Sequence, residues 1–299
     1  MASPKLTIQE LFDPDFLASV ERLKILARRV APAGTPAEKR SKQQGAGLEF
    51  RDYRPYSSGD DIKSIDWNVY NRLGKLFLRL FEEQRNLPVY LAPDISASMF
   101  FGENPRGAAA LRAAFAFAAI ALHEADSVGV FPFSDHLEMA LRPASGSGRL
   151  MRVAQTLTGL EPGGETDFTT SMKRLSAIRM REGLLIVFSD FFDPKGIDAV
   201  VDSLKHVRHR LLLVQLVRKT DRDPKIEGDL LLRDCESGEE QNVSATSAVL
   251  DAYRRSYQDF ETKLQAFARS RRAGLLRLDV DEDVVDQLGT LFETGAYVV

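Results

Sequence analysis

Apolar residues recur along this chain in two rhythms, and the change between them falls near residue 87. Before it, Leu11, Phe12, Phe16, Val20, Leu23 and Ala27 repeat at three- and four-residue steps, the spacing of one apolar face of a helix. That helix is expected to stop before Pro32. Residues 31–47 carry Pro32, Gly34, Pro36, Gly45 and Gly47 with charges between them and read as a loop. Residues 48–80 surround the single tryptophan, Trp67, with Asp, Arg, Tyr and Gly and keep no clean period, although 77–81 reads as a strand.

After residue 87 short apolar runs alternate with helical stretches. Strands are expected at 89–92, 128–133, 137–141, 183–189, 211–217 and 275–280, and helices at 107–124, 150–160, 168–179, 197–207, 250–268 and 284–292. The run 183–189 is almost purely apolar, as suits a strand covered on both faces of a parallel sheet. Only Ser134-Asp135-His136 separates two of the strands, too short for a parallel crossover, so that pair is expected to be an antiparallel hairpin. The alternation predicts an α/β fold. Residues 87–299 would form a doubly wound, mostly parallel sheet with one antiparallel edge strand, and residues 1–86 a smaller accessory segment.

Composition narrows the chemistry. The 299 residues are 44% hydrophobic with a formal net charge of −3, which supports a sizeable core and gives no bulk attraction to nucleic acid. The basic run Lys39-Arg40-Ser41-Lys42 reads as a solvated linker. A single cysteine, Cys235, excludes a disulfide within the chain and a cysteine-based zinc site. Met1 to Gln9 lacks the pattern of a signal peptide, and no stretch reaches the roughly 20 apolar residues of a membrane span. A cytoplasmic location is expected.

Three loops leave strand ends, where open α/β sheets bind ligands. In Asp94-Ile95-Ser96-Ala97-Ser98 alternate residues point the same way, so Asp94, Ser96 and Ser98 offer oxygens to one side. Gly163-Gly164-Glu165-Thr166-Asp167 supplies Thr166, and Ser189-Asp190 supplies Asp190. A donor set of oxygens alone selects magnesium, with manganese or calcium as alternatives, over zinc or copper. Two carboxylates and three hydroxyls leave such an ion under-neutralised, with room for waters and an outside carboxylate. Asp193, followed by Pro194, reads instead as the N-cap of the next helix. His206 and His209 read as decoration of a helix carboxyl end.

The order Asp94-x-Ser96-x-Ser98, Thr166, Asp190 resembles the metal-ion-dependent adhesion site of von Willebrand factor type A domains. That resemblance implies hydroxyl contacts to the metal, aspartates bound directly or through water, and a partner's acidic side chain completing the shell. Upstream, Gly47-Leu48-Glu49-Phe50-Arg51-Asp52-Tyr53-Arg54-Pro55-Tyr56, then Gly59-Asp60-Asp61-Ile62-Lys63-Ser64-Ile65-Asp66-Trp67-Asn68 and Leu78-Arg79-Leu80-Phe81-Glu82-Glu83, is similar to the family catalogued as domain of unknown function fifty-eight. The similarity runs from about Gly45 to Asp193 and more loosely to the end. Ser58, Gln84 and Pro93 depart from the family's usual residues, and none of them is a predicted ligand. Around Gly59 the acids Asp60, Asp61 and Asp66 are expected to pair with Arg51, Arg54 or Arg72. The resemblance also implies a partner, a MoxR-type AAA+ ATPase or its client, and a role in chaperone-like assembly or maturation of other proteins.

Enzyme readings find less support. There is no P-loop, and Ser96 and Ser98 lack the frame of a hydrolase nucleophile. A non-enzymatic, metal-dependent interaction module is expected. The alternative is a magnesium-dependent hydrolase of phosphate or acyl esters, in which the ion would activate water.

Overall fold

In the computed structural model, which describes residues 7–30, 48–57, 60, 65–83, 87–146 and 148–293, Asp13-Pro14 cuts the amino-terminal helical stripe in two. Helix α1 (Ile8–Leu11) is closed by a capping box between Thr7 and Glu10. Helix α2 (Pro14–Val30) starts at Pro14, with Asp13 Oδ1 accepting from Phe16 N at 2.9 Å. The single helix expected over 11–27 is therefore two, because a proline is favoured in the first turn and its capping acid precedes it. Leu11, Phe12, Phe16, Val20 and Leu23 are all buried, with the Phe12 ring 4.3 Å from that of Phe115. At roughly 1.5–3 kcal/mol for each large apolar side chain removed from water, this stripe ties residues 7–30 to the large carboxyl-terminal unit. Of the expected accessory segment, residues 33–86 form a separate unit.

That smaller unit holds β1 (Leu48–Pro55), α3 (Trp67–Leu73) and β2 (Phe77–Glu83), with β1 and β2 antiparallel. Asp66 caps α3, its Oδ1 accepting from Asn68 N at 2.9 Å and Val69 N at 3.2 Å, while Tyr53 Oη donates to Oδ2 at 3.0 Å. Arg54 pairs with Asp60 at 2.6 Å, one of the pairings expected around the Gly59 turn. Trp67 is 55% exposed. The loop expected over 31–47, together with Gly59 and Asp61, lies outside the described residues.

The larger unit continues with β3 (Pro88–Pro93), α4 (Arg106–His123), β4 (Ser127–Val130), β5 (Leu141–Ala144), α5 (Arg149–Thr158), α6 (Phe168–Ala177) and β6 (Leu184–Ser189). Then follow α7 (Ile197–Lys205), β7 (Arg210–Val217), α8 (Lys219–Arg222), β8 (Gly228–Arg233), β9 (Glu240–Ala245), α9 (Ser247–Arg271), β10 (Gly274–Asp279) and α10 (Val284–Glu293). The sheet order is β10-β7-β6-β3-β4-β5, parallel except for β5 at the edge. The fold is thus mixed α/β with a mostly parallel sheet and one antiparallel strand.

Alternation along the strands sets the layers. Val89, Leu91, Ile186 and Phe188 pack into one cluster with the side chains of α2, α4 and α10. Tyr90, Ala92, Leu185 and Val187 pack into the other with those of α6, α7 and α9. Helices therefore cover both faces of the sheet, as the doubly wound reading expects. The expected hairpin is antiparallel as read, but β4 stops at Val130 and β5 starts at Leu141. Between them Phe133 bridges both Asp94 and Leu137, so this stretch serves the loop after β3 instead of extending the edge. Among the described residues no helix is long and apolar enough to cross a membrane.

Two consequences position the site. The chain leaves β3 for α4 on one face and β6 for α7 on the other, which opens a crevice at their carboxyl ends. The turn Ser98–Phe100 is pressed onto the start of α4: a Cβ at Gly107 would lie 2.3 Å from the Phe100 ring, so this close approach requires glycine.

Candidate metal centre at the carboxyl end of the sheet

Asp94 is fixed before its side chain is considered. Its N–H donates to Phe188 O at 2.9 Å, and Ile95 N donates to Phe133 O at 2.8 Å, which hangs the loop between the exits of β6 and β4. Asp94 is fully buried. Its Oδ1 accepts from Ser96 N at 3.0 Å and its Oδ2 from Ser189 Oγ at 2.7 Å. Burial pushes its carboxyl up to about 6 against these hydrogen bonds, and the charge of Glu236 adds to the rise.

The Thr166 loop is stitched to the first by two backbone hydrogen bonds. Ala97 N donates to Gly164 O at 3.1 Å and Gly163 N to Ile95 O at 2.9 Å. Gly164 takes φ +79°, a left-handed conformation that glycine adopts without steric cost. Thr166 is buried. Asp167 behind it caps α6, accepting from Thr170 N at 2.9 Å, and bonds Lys195 Nζ at 2.6 Å. Its place is structural.

Asp190 follows β6 directly and is buried. Its Oδ1 accepts from Phe192 N at 3.0 Å, and Arg106 Nη1 stands 3.7 Å from Oδ2. Burial and the nearby Asp94 charge push its carboxyl up to about 7, with Arg106 opposing. Ser189 Oγ also accepts from Phe191 N at 2.9 Å, so one hydroxyl ties the β6 exit to Asp94.

The hydroxyls converge. Ser96 Oγ and Ser98 Oγ are 3.1 Å apart. Ser98 Oγ donates to Glu236 Oε1 at 2.6 Å, and Thr166 Oγ1 donates to the same oxygen at 3.2 Å. Asp94, Ser96, Ser98 and Thr166 thus form one connected cluster. Asp190 lies within electrostatic reach of Asp94, while its direct partners are Phe192 and Arg106.

These donors fit a small divalent cation. Magnesium–oxygen bonds of about 2.1 Å set adjacent ligands of an octahedron about 3.0 Å apart, close to the 3.1 Å between Ser96 Oγ and Ser98 Oγ. Two buried carboxyls pushed toward neutrality also mark a place where a cation would relieve a charge deficit. Among the described residues no group of three or more His, Cys, Asp or Glu side chains converges, so the fit depends on hydroxyls.

Two sequence expectations are corrected. The N-cap of α7 is Gly196, not Asp193. Asp193 instead accepts from Lys195 N at 2.8 Å and from Phe168 N at 2.9 Å, because Pro194-Lys195 makes a turn before the helix begins. His206 caps the end of α7, but His209 lies beyond the helix with its ring 4.7 Å from that of Tyr90.

Three partners were missed. Ser189 was read only as the neighbour of Asp190. Arg106 carried a signal: a cation at a helix amino terminus opposes the helix dipole, and it is held there by Asp190 and by Asp221 at 2.5 Å. Glu236 sits on the turn between β8 and β9, a ribbon whose turn residues Asp234, Ser237 and Gly238 were legible in principle.

Among known proteins, the family described as "Protein of unknown function DUF58" matches residues 52–264. Two proteins described as uncharacterized, one of Mycobacterium bovis and one of Mycobacterium tuberculosis, are 24% identical over 287 residues, spanning 94% of this chain and 90% of the relative. Solved structures resemble it more distantly. BatB of Bacteroides thetaiotaomicron, described as a conserved hypothetical protein, aligns over 70% of this chain and 98% of its own at 14% identity, with a TM-score of 0.42. An aerotolerance-related membrane protein of Bacteroides fragilis, solved with multiple mutations to serines, aligns over 70% and 99% at 16% identity, with a TM-score of 0.41.

Proposed function

The chain belongs to the DUF58 family, and from that premise we propose that it is a non-enzymatic, metal-dependent docking module built on a von Willebrand factor type A-like domain. In this reading Asp94, Ser96, Ser98, Thr166 and Asp190 hold a divalent ion, Mg2+ first and Mn2+ or Ca2+ as alternatives. The ion supplies a Lewis-acid position for an acidic side chain of a protein partner. The partner is a MoxR-type AAA+ ATPase or its client, and the purpose is assembly or maturation of other proteins.

The observation that carries this reading is a carboxylate already seated on the cluster, with Glu236 Oε1 between Ser98 Oγ and Thr166 Oγ1. The same hydroxyls that would ligate a metal are therefore shaped to receive a carboxylate beside it. The hydrolase alternative would need a general base for a metal-activated water, and the Glu236 carboxylate on the cluster is of a type that can serve as one. Ester turnover by the purified chain, lost in Asp94→Ala, would favour that alternative.

Calorimetry of the full chain with MgCl2 tests the metal. Saturable binding is expected for the native protein and none for Asp94→Ala, with unchanged far-ultraviolet circular dichroism. Capture of the ATPase should then need Mg2+ and fail in chelator. Capture that is indifferent to chelator would sink the docking role.

A further inference from the structure

We infer that Glu236 is this chain's own ligand for the centre, occupying the position that a partner's carboxylate must take. The inference rests on the metal-docking reading and adds a regulator to it.

The tip that carries Glu236 is shaped in advance. Asp234 Oδ1 accepts from Glu236 N and Ser237 N, both at 2.8 Å. Asp234 N donates to Glu239 O at 2.8 Å, and Gly238 N donates back to Asp234 O at 3.0 Å. Gly238 adopts φ +75°, so the turn is tight and Glu236 projects from it. Its carboxylate is then fully engaged: Oε1 with Ser98 Oγ and Thr166 Oγ1, and Oε2 with Thr166 N at 3.2 Å.

The ribbon behind the tip is held loosely. Strands β8 and β9 pair with each other and not with the central sheet, most of their residues are exposed, and Leu231 and Leu232 lie open at 58% and 46%. A two-stranded ribbon of this kind is marginal by itself. The hydrogen bonds from its tip to the hydroxyl cluster come from the Glu236 carboxylate.

Electrostatics gives that contact a purpose. Glu236 brings a further negative charge to act on Asp94, and a cation held at the centre would attract both carboxylates. Loading the ion should thus strengthen the hold of Glu236 and set it against any outside acid. A tethered carboxylate acts at an effective concentration on the order of millimolar. A partner must outcompete it or first lift the ribbon, and a free acid of ordinary affinity is excluded.

Mn2+ titrations of the full chain, read by water-proton relaxation, test this. Native protein, Glu236→Ala and Glu239→Ala are compared, with acetate as the probe carboxylate. Both substitutions lie on an exposed turn and remove one charge, but only the first removes the contact. Glu236→Ala should bind Mn2+ with one more fast-exchanging water per ion and respond to acetate at about tenfold lower concentration. Glu239→Ala should match the native protein. If Mn2+ binds and Glu236→Ala behaves as the native protein, or if both variants change alike, Glu236 is not the ligand and the metal reading stands alone. If neither native protein nor variants bind Mn2+, the metal reading falls and this inference falls with it.

Discussion

Two carboxylate-bearing loops reach one cluster of hydroxyls, Asp94 through Ser189 and Glu236 through Ser98 and Thr166, and are held in opposite ways. Asp94 sits at the end of a fully buried strand, bonded through its own backbone to β6 and through its side chain to Ser189. Glu236 rides on a ribbon that pairs only with itself and faces solvent. On the proposed docking role, the contrast separates what must be rigid from what must be able to leave. A cation site needs donors fixed to within fractions of an ångström, whereas a competitor for that site is useful only if its displacement costs little.

Hydrogen exchange should expose the contrast most plainly. Amides of 228–233 and 240–245 are expected to exchange about a thousandfold or more faster than those of 184–189. Equal protection would mean the ribbon is part of the rigid frame. Next in size is the ion pair that supports the fixed side. Arg106→Ala leaves Asp190 buried without its counter-charge and should cost about 3 kcal/mol of stability in urea unfolding. A loss under about 1 kcal/mol would show that the two groups are better solvated than their burial implies.

The smallest effect is a pH slope. Burial pushes the carboxyls of Asp94 and Asp190 up to about 6 and about 7, above their ordinary value of 3.8. The folded protein therefore keeps protons that the unfolded chain has already released. The associated stability is complete below about pH 4 and is lost as pH rises through 6 to 7. In chelator the melting temperature should fall from about pH 5 to pH 8, and Asp94→Asn should flatten that fall. A melting temperature that rises across this range would reverse the sign and refute the picture of two strained carboxyls.

Legibility in the sequence followed burial. Residues 184–189 and 211–217 were readable as strands because both faces are covered and all but Ser189 and Gln215 are apolar. The Asp94-Ser96-Ser98 oxygens were readable as a group, but the extended alternation expected for them is not kept: Ala97 is helical and Ser98 begins a 3-10 turn. The ribbon at 228–245 escaped for the converse reason: exposed on most positions, it carries neither period, and Leu230-Leu231-Leu232 followed by Glu239-Glu240-Gln241-Asn242 resembles no half-buried strand. Glu236 escaped with it. Asp193-Pro194 was misread because the same dipeptide starts a helix or a turn, and only the glycine at 196, with φ +81°, decides between them.

Phe191 carries a bulky side chain at φ +63°, a left-handed conformation that costs a non-glycine residue roughly 1–2 kcal/mol. It is kept there by full burial, by stacking on Phe168 with ring centroids 5.7 Å apart, and by the Ser189 hydroxyl. The residue one step before it is Asp190 and the one two steps before is Ser189, so the twist that seats an aromatic ring also aims both polar groups. Repacking beneath helix α6 would therefore be felt at Asp190 and, through the Ser189 hydroxyl, at Asp94.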